Sequence, residues 1–338
     1  MSIAGPPQGE LRPQRGQRSG ESRKRGGPLT VGVHSRRAAY VALAALTLIW
    51  GLNWVVMKAA LMHSHPLVFN VQRTWLATLS LFGVLIARRR RFWPHSWRAV
   101  VVTAFFQTTM NFGSTTMAVA LGGAGRTSVL VYTMPFWTIL IAWPVLHERV
   151  RGLQAAAIAF AFAGLLLVVQ PWSWRGDLAP KLWAVLSGFG WAAGTVSMKY
   201  FQRDRDFDML SFVAWQMLLG VLPLTFLPWV FDVPATQWSV LQAVLLILVG
   251  VVATAGGFLL WMEILRWLPA GTASLNMFAV PVTALLASMA LFGERLAANE
   301  WIGIALIGVG LGMIASQALG PGRRPAPLPA TPTPVDGG

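Results

Sequence analysis

Lys58, Arg73, Lys199 and Glu263 stand inside long apolar runs, where a charged side chain is costly to keep and by default marks a function. Arg73 lies about seven residues into its run, roughly 10 Å from the nearer end at about 1.5 Å per residue. That depth suits pairing with a solute carboxylate, with a hydrogen bond to a backbone carbonyl as the structural alternative. Lys58 and Lys199 each close a run, where the helix dipole favours a cation and a long side chain snorkels to the headgroups. Gating and contact with an anionic solute are the functional alternatives for these two lysines. Glu263 has Arg266 three positions on, within reach for an ion pair at the membrane surface.

Uncharged polar and aromatic side chains make the better binding candidates, because solute sites are mostly apolar with a few placed polar groups. Gln107 and Asn111 are four apart and share a helical face. Asn53, Tyr132 and Asn276 add amides and a hydroxyl at middle depth, and Trp50, Trp54, Trp137 and Trp191 supply flat walls. The expected substrate-binding set is therefore Asn53, Arg73, Gln107, Asn111, Tyr132, Trp137, Trp191 and Asn276. The competing role for each polar residue is tying helices together, at about 1 kcal/mol or less. Pro135 and Pro281 remove a backbone hydrogen bond at corresponding places and are expected to break helices at the site, or else to bend them for packing. Gly190/Gly194 and Gly308/Gly312 are pairs that permit close helix approach.

Enzyme chemistry finds little material. The chain has no cysteine, so thiolate metal sites, disulfides and thiol nucleophiles are excluded, and His63-Ser64-His65 lacks a third ligand nearby. Every aspartate falls in a loop or tail, and the Gly-x-Ser-x-Gly, His-Glu-x-x-His and Gly-x-x-x-x-Gly-Lys motifs are absent. No catalytic residue, cofactor or metal is expected.

The elements that must position these residues are apolar spans. With 55 % hydrophobic and 12 % charged residues the composition is that of a polytopic membrane protein. Spans are expected at about 38–61, 67–87, 99–120, 124–146, 152–170, 181–201, 209–230, 239–265, 272–292 and 301–319. A disordered basic tail over 1–36 precedes them and a disordered Pro-rich tail over 320–338 follows. Residues 125–165 repeat without a gap as 271–311: Gly125, Ser128, Pro135, Glu148, Arg149 and Gly164 fall on Gly271, Ser274, Pro281, Glu294, Arg295 and Gly310. The units are 37–171 and 180–319. Five spans in each is an odd number, so the second copy enters the membrane from the opposite face, and the repeats are inverted. The expected fold is all-α, ten transmembrane helices as two inverted five-helix repeats.

The net charge of +15 is lopsided. Twenty of the 27 basic residues fall on one side of these spans and four on the other (Arg126, Arg175, Lys181 and Arg295), the rest lying within spans. This bias places both termini in the cytoplasm and argues for attraction of the basic tail to anionic lipid, not for nucleic acid. Trp93, Trp97, Trp172 and Trp174 are expected at the membrane surfaces.

Trp50-Gly51-Leu52-Asn53-Trp54-Val55-Val56-Met57-Lys58, Arg73, and the two Pro-to-Glu stretches 135–148 and 281–294 resemble the EamA family of the drug/metabolite transporter superfamily over about residues 38–319. The second half repeats Trp191 and Lys199 but has Gln216 where Arg73 would fall. The resemblance implies two inverted five-helix repeats and export or exchange of small metabolites, often amino acids, across the bacterial inner membrane. The expected function is secondary transport of a small amphipathic solute by alternating access. Drug or cation efflux by the same fold is the alternative, and a non-transporting sensor or scaffold a more distant one. The protein is expected to act as a monomer or homodimer.

Overall fold

The structure is a computed structural model that describes residues 33, 35–122, 131–148, 152–170, 172, 178–203, 207–292 and 297–319. The tails expected over 1–36 and 320–338 lie outside these residues except at Val33, Ser35 and Arg36, as do Arg126, Arg149, Arg175, Glu294 and Arg295.

Described secondary structure is helical throughout. Helix α1 (Arg36–Ala60) is capped by the Ser35 hydroxyl, which accepts from Ala38 N at 3.1 Å. Pro66 occupies the first turn of α2 (Pro66–Ala87), and His65 Nδ1 accepts from Leu67 N at 3.3 Å. Both satisfy helix-start donors that nothing inside the helix can reach. Next come α3 (Trp97–Thr103), a π-helical segment (Ala104–Met110) and α4 (Asn111–Gly122) as one continuous run. Helices α5 (Met134–Leu146), α6 (Leu153–Val169) and α7 (Leu178–Phe201) follow. Pro223 lies near the end of α8 (Met209–Thr225), and a short α9 (Leu227–Val230) completes that span. The next run is α10 (Val240–Ile247), a second π segment (Leu248–Gly256) and α11 (Gly257–Trp267). Last are α12 (Ala270–Leu275), a 3₁₀ turn (Asn276–Phe278), α13 (Ala279–Phe292) and α14 (Ala298–Leu319).

Four described stretches are long and apolar enough to cross a bilayer: Arg36–Ala60, Met209–Val230, Val240–Trp267 and Ala270–Leu291; shorter apolar helices accompany them. The distribution of side chains is the reverse of a water-soluble protein. Val41, Leu79, Ile86, Leu140 and Trp229 are exposed, whereas Thr74, Gln107, Thr108, Gln216 and Gln242 are buried. Apolar atoms outside and hydrogen-bonding groups inside is the arrangement a hydrocarbon solvent selects.

The core is a seam between the two halves of the chain. α1 packs on α11 and α13, α2 on α8, α4 and α5 on α7, and α6 on α14. Hydrogen bonds sort the loops into two ends. Residues 88–92, 146–148, 199–203, 207–211 and 262–271 meet through Ser211 Oγ to Phe92 O, Arg203 to Leu146 O and Gln202 to Met262 O. The opposite end joins residues 61–66 to 225–239 through the Ser64–Thr236 hydroxyl pair at 2.7 Å and Gln237 N to His63 O.

Neither π segment was expected from the sequence, whose apolar periodicity reads as ordinary helix over both. The prolines also differ from expectation. Pro135 sits in the first turn of α5, where a missing N–H costs nothing, and Pro281 is the third residue of α13. The break in each half comes just before the proline, at the turn Tyr132–Thr133 and at the 3₁₀ turn.

Candidate functional site

At mid-depth, where the two halves meet, lies a cavity of about 120 Å³. α1 contributes Trp50, Asn53, Trp54 and Met57, and α2 contributes Arg73. α4 supplies Asn111, Phe112 and Thr115, α7 supplies Trp191, and the second π segment supplies Ala253 and Thr254. Tyr132 comes from the break before α5, and Met134 is the first residue of that helix. A smaller cavity shares Met57, Arg73 and Thr115 and continues toward Leu61 and Pro66. In the other direction the rings of Trp50, Trp191, Phe258 and Trp261 pack at centroid distances of 5.2 to 6.4 Å and form a floor.

Arg73 is 9 % exposed. Its Nε donates to Asn70 Oδ1 at 2.9 Å, one helical turn back, and its guanidinium carbon lies 4.5 Å from the Phe112 ring centroid. The described ion pairs, Arg90–Asp208, Lys199–Glu148 and Arg266–Glu263, do not involve it. The guanidinium is thus held by an amide and a ring face while its charge has no carboxylate against it among the described residues.

Asn111 Nδ2 donates to O and Oγ of Ser187 on α7, both at 3.0 Å, so this amide ties the halves together while lining the cavity. Asn53 Oδ1 and Trp191 Nε1 are buried polar atoms without a partner among the described residues. Unpaired groups of this kind are costly unless water or a solute meets them. Trp50, by contrast, donates through Nε1 to the carbonyl of Ala253 in the second π segment, at 2.9 Å.

Of the eight expected substrate-binding residues, Asn53, Arg73, Asn111, Tyr132 and Trp191 meet at this cavity and Gln107, Trp137 and Asn276 do not line it. Gln107 does share a face with Asn111, but that face abuts α7, and the side chain is packed over Gly194 with no exposure. Trp137 packs edge-on against Phe189, with centroids 5.8 Å apart. Asn276 opens the 3₁₀ turn, and it is Met277 and Val280 that reach the cavity. Of the glycine pairs, Gly190 and Gly194 receive the π segment at Phe106 and Gln107, while Gly308 and Gly312 face open space.

Among the charged residues, Lys58 is exposed in the last turn of α1, and Glu263, 2 % exposed, pairs with Arg266 at 3.5 Å. Lys199 departs from the snorkelling expectation. Its ammonium turns inward to Glu148 at 3.3 Å and donates to the carbonyls of Leu265 and Leu268. These three acceptors, one carboxylate and two carbonyl oxygens, are offered by helix ends gathered there, and they hold the ammonium better than distant headgroups can. Glu148, Phe258 and Trp261 were not in the expected site set, although the duplication of Glu148 as Glu294 was a readable signal.

A helical membrane protein with a solute-sized polar cavity between its halves has the form of a transporter. The model of the EamA-like transporter family matches residues 37–170 and again 179–316, and the chain belongs to that family, within the drug/metabolite transporter superfamily. It is 25 % identical to the uncharacterized transporter YoaV of Bacillus subtilis (strain 168) over 279 residues, 81 % of this chain and 95 % of the relative. It is 27 % identical over 294 residues to a probable amino-acid metabolite efflux pump of Escherichia coli (strain K12), covering 82 % and 94 % of the two chains. A solved crystal structure superposes with a TM-score of 0.71 at 16 % identity, over 84 % of this chain and 99 % of that one, a likeness of fold.

Proposed function

We propose that the protein is a secondary transporter of the bacterial plasma membrane that exports or exchanges a small, carboxylate-bearing, amino-acid-like metabolite by alternating access. The observation that carries this reading is Arg73, a cation in the cavity at the seam with no carboxylate opposing it among the described residues. A solute carboxylate supplies the missing charge, the unpaired Asn53 Oδ1 and Trp191 Nε1 supply an acceptor and a donor, and the tryptophan faces take an apolar side chain. A cavity of 120 Å³ has the volume of about four waters at about 30 Å³ each, which suits a solute the size of a small amino acid. The name of the Escherichia coli relative points the same way.

Ten crossings in two inverted five-helix repeats, with both termini cytoplasmic, complete the proposal. The helix pairing supports it, because exchanging the halves turns α1 on α13 into α7 on α5 and α2 on the second π segment into α8 on the first. The closest approach obeys the same exchange: a Cβ on Gly164 would lie 2.5 Å from Gly303 O, and one on Gly310 would lie 2.7 Å from Ala157 O. Both pairs are related by the same 146-residue shift. The basic-residue bias supports the orientation, which makes the end bearing residues 88–92 and 199–203 cytoplasmic. Drug or cation efflux is disfavoured by the positive charge of Arg73 at the cavity wall.

Counterflow of radiolabelled amino acids in proteoliposomes tests the reading. Uptake driven by preloaded solute is expected, and it is expected to be lost for decarboxylated analogues. Equal uptake of the amine and the amino acid would remove the carboxylate assignment.

A further inference from the structure

We infer that Lys199 and Glu148, together with the carbonyls of Leu265 and Leu268 and the N–H of Gly271, form a latch that shuts the solute path at the cytoplasmic end, and that the path opens when the latch parts. The inference rests on the transporter reading above and adds to it the groups that set which face is open.

Position is the first argument. The five groups come from the ends of α5, α7, α11 and α12, and the Lys199–Glu148 contact joins the first half of the chain to the second. Glu148 Oε2 also accepts from Gly271 N at 3.4 Å, so its two oxygens bind two different helices. The open cavity extends toward Leu61 and Pro66, the opposite end. The rings of Trp50, Trp191 and Phe258 wall the cavity, and the two tryptophans pack on Trp261.

Separability is the second argument. The side chains of Lys199 and Glu148 are 19 % and 23 % exposed, so each charge can be hydrated once the pair parts. A pair at full burial would leave two uncompensated charges on opening and would lock the protein. Glu148 also lines a cavity of about 150 Å³ with Ile139, Gln154, Ile158, Thr272 and Leu275, which gives the end of α5 room to move. The sequence repeats both residue types in the other half as Lys58 and Glu294, as a device contributed once by each copy would require.

The natural absence of cysteine makes a direct test available in the full-length chain. Ser274→Cys places a thiol at a fully buried position of α12 behind the latch, and Thr115→Cys places one on the cavity wall. Each is labelled with a membrane-impermeant maleimide, the first in inside-out and the second in right-side-out vesicles. Glu148→Gln and Lys199→Gln are each expected to speed labelling at 274 by about tenfold, the population shift that loss of one charge-assisted bond produces. Labelling at 115 is expected to slow in the same variants. The exchanged pair, Glu148→Lys with Lys199→Glu, is expected to restore both rates. Faster labelling at both positions would mean general loosening and would overturn the latch, as would unchanged rates in variants whose thermal unfolding shows them folded. No solute is used, so a negative result here is separate from a failure to find carboxylate counterflow.

Discussion

Trp50 and Trp191 hold corresponding places in the two copies and meet edge to face at the seam, with ring centroids 5.2 Å apart. Their polar atoms are treated differently: Trp50 Nε1 donates to Ala253 O, and Trp191 Nε1 has no partner among the described residues. Trp50→Phe leaves a buried carbonyl short of a donor and is expected to lower stability by about 1–3 kcal/mol. Trp191→Phe is expected to leave thermal unfolding nearly unchanged while reducing flux. Paired melting curves and counterflow assays on the two variants check the contrast.

Arg73→Gln removes the charge but keeps a donor near Asn70. A hydrogen bond to a charged partner is worth about 1.5–3 kcal/mol, so half-saturation by a carboxylate solute is expected to rise about 10- to 150-fold. Arg73→Lys is expected to fall between the two, since an ammonium restores charge without the planar fork. Concentration dependence of counterflow reads this, with melting temperature as the control for folding.

Gly164 and Gly310 allow α6 and α14 to touch backbone to backbone. A methyl at Gly164 would meet a backbone carbonyl that cannot swing away, so Gly164→Ala is expected to cost about 1–3 kcal/mol. Gly308→Ala and Gly312→Ala add a methyl to open space, and they are expected to stabilise by up to about 1 kcal/mol. Thermal unfolding in one detergent compares all three.

His65 caps α2 through a neutral Nδ1, outside the spans, and burial lowers its pKa from 6.5. The folded state therefore binds its proton less readily than the unfolded chain. Stability is fully present above pH 6.5 and is lost as pH falls from there through the lowered folded value. His65→Asn, which caps without titrating in this range, is expected to flatten that part of the pH–stability profile.

Much of the architecture could be read from the residues because hydrocarbon imposes a simple rule: apolar runs of one length, and any polar residue inside them has a reason to be there. That rule led to Arg73, Asn111 and Asn53 at the cavity. It could not separate a polar residue facing the cavity from one facing a neighbouring helix, which is why Gln107, packed over Gly194, looked equivalent to Asn111. Nor could it find Phe258 and Trp261, since an aromatic residue in an apolar span carries no mark of what it faces. The partners of Lys199 were hidden for a third reason: they are mainly carbonyls at helix ends, which have no side-chain signature.

The two π segments, at 104–110 and 248–256, occupy matching places in the runs that flank the cavity. A turn of that kind carries one surplus residue, so it can tighten to an ordinary turn while its slack moves along the rod. Each long rod is therefore jointed at its midpoint, and one tip can tilt while the other stays seated. Such joints would confine motion to half a rod at a time, leaving the lipid-facing wall continuous throughout a cycle.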